Sequence, residues 1–287
     1  MFDQKKVKIQ SENYLVSKDY TVSNETFDII YNKEYDLLIT SPAPDNLDKY
    51  YISESYISHT DSNKGLFNKT YQIIKKYALN KKLKLINNQL TTDKSILDIG
   101  AGTGDFLNVC KLSGWKATGI EPSFQARNLA NKKGITLHEN IENIKNKKFD
   151  VITLWHVLEH IPNLEEQIKV FKNHLNKNGT LIIAVPNYKS YDAKYYGKHW
   201  AAFDVPRHLW HFSTNSIKKI FNEINMDVVK TLPMKFDSYY VSLLSEKYKT
   251  GKMNPLKAFQ IGFISNLKAK KENNYSSLIY LLKNSKN

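Results

Sequence analysis

The sequence predicts an α/β protein in which a mainly parallel sheet is covered by helices on both faces. From residue 95 onward, short apolar runs alternate with segments whose apolar residues recur at helical spacing. The runs "FDVITLW" and "TLIIAVPN" are continuously apolar, which is typical of strands buried on both faces of a sheet. Three alternate glycines in "LDIGAGTGDF" close one strand and open the next helix. Such alternation of strands and helices indicates parallel pairing.

The first ninety residues are predicted to form a small α+β module. "TFDIIYNKEYDLLIT" indicates two short strands around a turn, and "DNLDKYY" is typical of a short capped helix. A longer helix follows, with apolar residues at Phe67, Tyr71, Ile74 and Ala78. Lysines occupy its other side, which we interpret as a solvated face. The predicted domain boundary separates residues 1–90 from residues 91–287.

The second part alternates regularly along the chain. "SILDIG" and "KATGIE" are predicted strands on either side of the helix "DFLNVCKLSG". The strand "FDVITLW" precedes an amphipathic helix that should end at Asn178-Gly179, and "TLIIAVPN" is the next strand. One more helix should begin at Ser213 or Thr214, where either hydroxyl could act as the N-cap. The strands "DVVKTL" and "SSLIYLL" complete the pattern.

Composition limits the class of protein. At 287 residues with 41% hydrophobic residues, the chain can build one large core or two ordinary ones. The N-terminus offers no signal-peptide core, and the longest aliphatic run, "LIIAV", is too short to span a membrane. The single cysteine, Cys110, excludes an intrachain disulfide framework and a multi-cysteine metal site. We therefore expect a cytoplasmic protein, either a monomer or a homodimer.

The net charge of +14 raises the question of nucleic acid, a membrane surface or an acidic substrate. All but two of the 42 basic residues are lysines, and they are spread along the whole chain. A dedicated nucleic-acid site would favour arginine for phosphate and base contacts. We expect no specific nucleic-acid partner, although that alternative stays open.

The glycine-rich turn carries the first functional signal. Its glycines are Gly100, Gly102 and Gly104, and such a turn lets backbone N–H groups approach a ligand closely. A dinucleotide-binding turn would have its third glycine at Asp105, and Asp98 precedes the first glycine. Carboxylates on both sides would repel a pyrophosphate and attract a cationic ligand with an ammonium and a sulfonium. Glu121 ends the second strand, where it could accept both ribose hydroxyls or merely open a surface turn.

These motifs resemble those of the class I S-adenosylmethionine-dependent methyltransferases. "ILDIGAGTGDF", "GIEPS", "FDVITLWHVLEHI" and "GTLIIAVPN" match that superfamily in order and spacing over residues 91–230. The resemblance implies a Rossmann-like sheet with an antiparallel last strand, S-adenosylmethionine (SAM) as cofactor and S-adenosylhomocysteine as product. The implied cofactor-binding residues are Asp98, Gly100, Ala101, Gly102, Thr103, Gly104, Glu121, Pro122, Asn140, Ile141, Trp155 and His156.

The whole chain is similar to bacterial methyltransferases that have an N-terminal zinc ribbon, a group that includes sugar methyltransferases. The paired cysteines of the ribbon are absent, so we expect a metal-free N-terminal module. The last two strands of this fold are usually a hairpin pair, so residues 236–274 would form a basic, amphipathic helical insertion. The resemblance implies methylation of an oxygen, nitrogen or carbon of a small molecule, such as a sugar or a cell-envelope or secondary-metabolite intermediate. An RNA methyltransferase and a non-catalytic SAM-binding protein are the alternatives.

The segment "HVLEH" also fits an inverted zinc-protease pattern, with His156 and His160 as ligands. Pro162 follows two residues after His160 and leaves no room for a long ligand-bearing helix. We therefore predict a short turn and no metal. In the methyltransferase interpretation, Trp155 and His156 lie near the methionine end of the cofactor, and His160 is structural or functional.

The segment "HWAAFDVPRHLWHF" follows "VPN", at the carboxyl end of a central strand, where ligands of open α/β sheets bind. His208 is the candidate general base, Asp204 would orient it, and Arg207 could pair with a carboxylate or phosphate of the substrate. The alternative is structural, with Asp204 and Arg207 as a local ion pair. His211 is a further catalytic candidate. The expected substrate-binding residues are Tyr51, Tyr56, Asn187 and His199.

Overall fold

The structure is a computed structural model that describes residues 2–51, 66–89 and 91–285. The chain divides into two compact units. Unit 1 comprises Met1–Ser53, His156–Ile168 and Ile183–Asn287, and unit 2 comprises Glu54–Trp155 and Lys169–Ile182. Residues 1–53 therefore pack with the C-terminal part of the chain. The domain boundary at residue 90 stays a prediction.

The elements follow in chain order. The strands are β1 (Glu12–Lys18), β2 (Thr26–Asn32), β3 (Leu37–Ser41), β4 (Ser95–Ile99), β5 (Lys116–Ile120), β6 (Phe149–Trp155), β7 (Leu175–Pro186), β8 (Trp210–His211), β9 (Met226–Pro233) and β10 (Ser277–Asn284). The helices are α1 (Gln4–Ile9), α2 (Leu66–Asn87), α3 (Asp105–Leu112), α4 (Phe124–Lys132), α5 (Leu164–Asn173), α6 (Tyr191–Tyr196), α7 (Thr214–Asn222), α8 (Asp237–Thr250) and α9 (Pro255–Glu272).

The larger sheet has the strand order β5-β4-β6-β7-β10-β9. In unit 2, β4 lies between β5 and β6 and pairs with both in parallel. In unit 1, β10 pairs with β9 antiparallel, and β7 runs through both units. The apolar runs of the sequence supply the core, since Val151, Ile152 and Leu154 of β6 are fully buried. The predicted α/β class, a mostly parallel sheet with an antiparallel last strand, is confirmed.

Unit 1 contains a second, smaller sheet of order β1-β2-β3-β8. Strand β1 was not predicted, because it is an edge strand whose residues are mostly exposed and lack a continuous apolar run. Strand β8 belongs to "HWAAFDVPRHLWHF", whose residue Trp210 pairs with Ile39 of β3. Part of the stretch predicted as an active-site loop is therefore built into a sheet.

Helical structure is present both in the segment predicted as a short turn and in the segment predicted as a helical insertion. The "HVLEH" segment forms a single 3-10 turn over Leu158–His160, as Pro162 predicts. Between β9 and β10, the chain forms α8 and α9, which pack against each other. Among the described helices, none is both long and apolar enough to cross a membrane.

Candidate cofactor and acid–base sites

The glycine turn connects β4 to α3 in unit 2. Gly100, Gly102 and Gly104 have φ angles of 69°, 55° and 75°, in the left-handed region that favours glycine. A Cβ placed on Gly102 would meet no atom within 4 Å, so the backbone faces open space there. The N–H groups of Gly100, Ala101, Gly102 and Gly104 already donate within the chain, so the turn offers a ligand open space beside the start of α3, and not these four donors.

Glu121 follows directly after β5 and is tied to this turn. Its Oε2 accepts a hydrogen bond of 2.8 Å from the N–H of Gly102, and its Oε1 accepts one of 2.9 Å from Ser123. Each carboxylate oxygen has a further lone pair, so Glu121 can still accept two ribose hydroxyls. The two backbone donors hold the carboxylate in a fixed orientation for that task.

Asp98 lies in β4 and is only 3% exposed. Thr153 of the neighbouring strand donates a hydrogen bond of 2.6 Å to its Oδ1. Burial raises the pKa of Asp98 to about 7, and the nearby Glu121 adds to the rise. A buried carboxyl that is reluctant to ionise gains from a cation, so Asp98 fits a positively charged ligand.

Asp105, the first residue of α3, is less available than the sequence suggested. Its carboxylate pairs with Lys75 of α2 at 2.7 Å and with Lys133 at 2.9 Å, and these contacts hold its pKa below the usual value. The argument that Asp105 repels a pyrophosphate is therefore wrong, since two lysines compensate its charge. Lys75 and Lys82 are seven residues apart on α2. Lys75 pairs with Asp105 and Lys82 lies over the ring of Trp155, so these two lysines are not part of a solvated face.

Trp155 ends β6 and has an unused donor. Its Nε1 is buried, and no hydrogen-bond acceptor for it lies among the described residues. The ring packs edge-on against Phe106, with ring centroids 5.7 Å apart, and Lys82 Nζ lies 4.3 Å from the centroid. A buried N–H without an acceptor indicates that a ligand oxygen can bind there.

The other predicted cofactor residues show more ordinary surroundings. Ala101, Thr103 and Ile141 are buried, whereas Pro122 and Asn140 are exposed. Together with Glu121, Asp98 and Trp155, the turn offers acceptors for ribose, a carboxyl for a cation and donors for a carboxylate. This donor set fits SAM, which has all three groups.

In unit 1, His156 lies between the carboxylates of Glu159 and Asp237. It has a φ of 56°, and its Nδ1 lies 3.3 Å from Glu159 Oε1 while its Nε2 lies 3.3 Å from Asp237 Oδ2. Burial lowers the pKa of His156, but the two carboxylates outweigh burial and raise it to about 10. The imidazole is therefore charged at neutral pH, which favours an ion-pair role over direct contact with a cationic cofactor.

His160 and His208 form a second cluster with Glu159. Their rings meet edge to face with centroids 4.5 Å apart. His160 Nδ1 lies 3.0 Å from the carbonyl oxygen of Arg207, and His208 Nδ1 lies 2.9 Å from that of Ala202. A carbonyl oxygen only accepts, so Nδ1 of His208 carries the proton in its bond, whereas Nδ1 of His160 also faces the hydroxyl of Tyr51. In the neutral state, Nε2 of His208 then holds a lone pair.

The surroundings of this pair keep His160 neutral. Burial lowers the pKa of His160 to about 4, and the neighbouring His208 lowers it further. Glu159 is 1% exposed, and neither of its oxygens has a hydrogen bond of good geometry within the described chain. An imidazolium formed here would thus lie beside a buried carboxylate that stabilises it.

The same three side chains could approach a metal ion. Ligand atoms of Glu159, His160 and His208 all lie within 4.8 Å of one another. Two histidines whose Nδ1 atoms bind carbonyl groups, together with a carboxylate, are a donor set that suits a divalent transition metal. An ion would compete with the His156 imidazolium for Glu159, so the metal-free site stays a prediction.

Asp204 and Arg207 form the ion pair that was the structural alternative. Arg207 is 1% exposed, and its Nε and NH2 donate to the two oxygens of Asp204 at 3.0 and 2.6 Å. NH2 also donates to Asp19 at 3.0 Å, and NH1 donates to the carbonyl of Tyr50 at 3.1 Å. Four of the five N–H donors of the guanidinium are occupied and the side chain is buried, which argues against the expected substrate contact. Because Asp204 is held by Arg207, the carbonyl of Ala202 orients His208 instead.

Three other predicted residues make internal contacts. His211 Nε2 lies 3.0 Å from Thr40 Oγ1 inside the smaller sheet, and His199 Nδ1 lies 2.8 Å from the Tyr20 hydroxyl. Asn187 donates to the carbonyl of Tyr275 at 3.1 Å. These contacts explain the three side chains as structural ties within unit 1.

The two tyrosines expected to bind substrate have different outcomes. The hydroxyl of Tyr51 lies 3.0 Å from His160 Nδ1, which places Tyr51 beside the histidine pair. Tyr56 lies outside the described residues.

Comparison with known proteins gives the family. The profile of the family described as "Methyltransferase domain" matches residues 71–231, more than half of the chain. A ubiquinone biosynthesis O-methyltransferase of Actinobacillus pleuropneumoniae is 28% identical over 173 residues, which cover 54% of this chain and 73% of that protein. The enzyme of the same description from Glaesserella parasuis is 33% identical over 108 residues, 33% of this chain and 46% of its own length.

Solved structures show the same fold. A SAM-dependent methyltransferase from Thermotoga maritima has a TM-score of 0.50 at 17% identity, over 76% of this chain and 95% of its own. The magnesium protoporphyrin IX methyltransferase of Synechocystis PCC 6803, with bound S-adenosylhomocysteine, has a TM-score of 0.50 at 15% identity, over 82% and 97%. The matched residues include the glycine turn, Glu121 and the strands β4 to β8. The chain therefore belongs to the class I SAM-dependent methyltransferases.

Proposed function

We propose that this enzyme transfers the methyl group of SAM to an oxygen atom of a small-molecule acceptor. The observation that carries the proposal is the geometry of His208, whose Nδ1 is bound to the carbonyl of Ala202 while the ring lies in the cluster with His160 and Glu159. A hydroxyl acceptor must lose its proton when its oxygen is methylated, and histidine is the commonest group for that task. The O-methyltransferase relatives support the same reaction class.

The residues divide the work between cofactor and acceptor. Bound SAM would supply an electrophilic methyl group on a sulfonium. The sulfur would leave as the thioether of S-adenosylhomocysteine when the acceptor oxygen attacks the methyl carbon in line. Glu121 would hold the ribose, Trp155 Nε1 would hold the carboxylate of the amino-acid part, and Asp98 would favour the positive charge. These contacts would fix the cofactor, and the proton of the acceptor needs a separate group.

His208 is the group that we assign as general base. Its Nδ1–H is fixed on the carbonyl of Ala202, so its Nε2 is the atom that receives the acceptor proton. The imidazolium that forms would be stabilised by Glu159 and by Asp204, whose Oδ2 lies 3.9 Å from Nε2. His160 would stay neutral beside it, because burial holds its pKa near 4.

The experiment compares two histidines that make the same bond. His174 also has its Nδ1 on a backbone carbonyl, that of Lys147 at 2.8 Å, but it is not part of the cluster. Transfer of label from radioactive SAM would be measured on a panel of catechols, phenols and sugars. We expect His208→Gln to lose about a hundredfold or more in turnover with unchanged affinity for S-adenosylhomocysteine, and His174→Gln to lose nothing.

Three outcomes would contradict the proposal. Full turnover in His208→Gln would show that His208 is not the general base. Methylation of bulk RNA with no methylation of the panel would favour a nucleic-acid substrate. Tight cofactor binding with no transfer to any acceptor would favour a non-catalytic protein.

A further inference from the structure

Helix α9 has an apolar face that its own chain leaves exposed. Leu256 is 86% exposed and Phe259 is 63% exposed, and Phe263 and Leu267 are 48% and 44% exposed. Their spacings of three, four and four residues place all four on one side of the helix, which we call the outer stripe. Single exposed apolar residues are ordinary, but a continuous row of four large ones indicates a binding surface.

The opposite side of α9 is already used for folding. Ala258, Ile261, Ser265 and Ala269 are buried there, and α9 packs on α8 and α6. A helix that is apolar on two faces normally has both covered. The inner face is covered by this chain, whereas the outer stripe stays largely exposed, although the ring of Tyr239 stacks on Phe259 with centroids 5.2 Å apart.

Lysines lie beside the outer stripe, most of them towards its C-terminal end. Helix α9 contains Lys257, Lys268, Lys270 and Lys271, and Glu272 is its single acid. Close to its C-terminal end lies a cavity of about 350 Å³ whose charged lining is Lys189, Lys194, Lys268 and Glu272, with Lys189 also paired to Asp36. A phosphate group could enter this cavity and contact several ammonium groups at once. The surface is thus apolar along its centre and basic along its border.

We propose that the outer stripe and its lysines dock this enzyme on an anionic phospholipid membrane. Leu256, Phe259 and Phe263 would enter the boundary between headgroups and acyl chains, while the lysines contact headgroup phosphates, the arrangement of an interfacial amphipathic helix. A second copy of the chain fits this surface less well. A symmetric contact through the stripe would bring the lysines against one another with only Glu272 to offset them.

The proposal is tested by sedimentation with lipid vesicles. We expect the full chain to bind phosphatidylcholine vesicles that contain phosphatidylglycerol, and not pure phosphatidylcholine vesicles. Leu256→Ser with Phe263→Ser should reduce binding at least tenfold. Lys270→Glu with Lys271→Glu should do the same, because each lysine near an anionic surface contributes about fivefold.

Matched controls come from exposed residues elsewhere. Leu112 is 81% exposed at the end of α3, and Lys145 and Lys147 are exposed in a loop. Leu112→Ser, and Lys145→Glu with Lys147→Glu, should bind as the wild type does, and circular dichroism would verify the fold of each variant. The proposal is overturned if the wild type does not bind anionic vesicles at low salt, or if the control variants lose as much binding as the stripe and lysine variants do. It is also overturned if the wild type is a dimer that Leu256→Ser with Phe263→Ser converts to a monomer.

Discussion

Removal of the Arg207 side chain tests whether that residue serves the fold or the substrate. Arg207 is buried and joins Asp204, Asp19 and the carbonyl of Tyr50. Arg207→Ala leaves two carboxylates of unit 1 without their cation. Breaking a buried ion pair from one side costs roughly 3–5 kcal/mol, because the remaining charge is desolvated and uncompensated. That loss is a large fraction of the roughly 5–15 kcal/mol that holds a typical domain folded.

Urea unfolding at pH 7, followed by tryptophan fluorescence, measures the loss. Lys116→Ala is the control, because its ion pair with Asp93 joins two largely exposed side chains. Exposed pairs of this kind contribute little, so the control should unfold as the wild type does. Arg207→Lys should fall between the two, since one ammonium cannot reproduce the planar fork that binds Asp204 at two points.

The pH dependence gives a second measurement with a defined sign. Burial raises the pKa of Asp19, but backbone donors and Arg207 outweigh burial and hold it below the usual value; Arg207 likewise lowers the pKa of Asp204. A carboxyl whose pKa is lowered by folding contributes stability at high pH and loses it as the pH falls. The difference between wild type and Arg207→Ala should therefore be full at pH 7 and shrink below about pH 4. A variant that unfolds like the wild type, yet binds acceptor poorly, would refute this reasoning and restore Arg207 as a substrate ligand.

Three further predictions concern the cofactor site and metal content. Glu121→Ala should weaken S-adenosylhomocysteine binding at least tenfold, about 1.4 kcal/mol by calorimetry, and unchanged affinity would exclude the ribose contact. Asp98 has a pKa raised to about 7 by burial, so without cofactor its contribution to stability is full below about pH 4 and is lost as the pH rises towards 7. Melting temperature against pH should show this fall in the wild type, and Asp98→Asn should abolish it; an equal slope in both would contradict the assignment. Elemental analysis should find no stoichiometric zinc, whereas one zinc per chain that is lost in His208→Ala would make Glu159, His160 and His208 a metal centre.

The sequence predicted those features that depend on local pattern. Strand β6 and the second half of β7 are continuous apolar runs, and the turn at Gly102 requires a backbone that glycine allows, so both are predictable without tertiary information. The prediction of a helix as far as Asn178-Gly179 is wrong, because that helix ends at Asn173 and β7 begins at Leu175. Strand β1 has no such pattern, because its stability comes from pairing with β2 and not from a buried face of its own. The pairing of Trp210 with Ile39 is equally invisible, since those residues are far apart along the chain.

The acid–base residues show that the spacing of charged residues along the sequence does not predict which of them pair. Asp204, Arg207 and His208 stand close together in sequence, which suggested that Asp204 orients His208 while Arg207 binds substrate. The outcome depends on Asp19, a distant residue at the end of β1, because its buried carboxylate gives Arg207 a second internal partner. With both carboxylates committed to the guanidinium, His208 pairs with a backbone carbonyl, and its free Nε2 lies in the cluster with His160 and Glu159. A proton acceptor was therefore predictable in this segment, whereas the identity of its partners was set by contacts that no local spacing records.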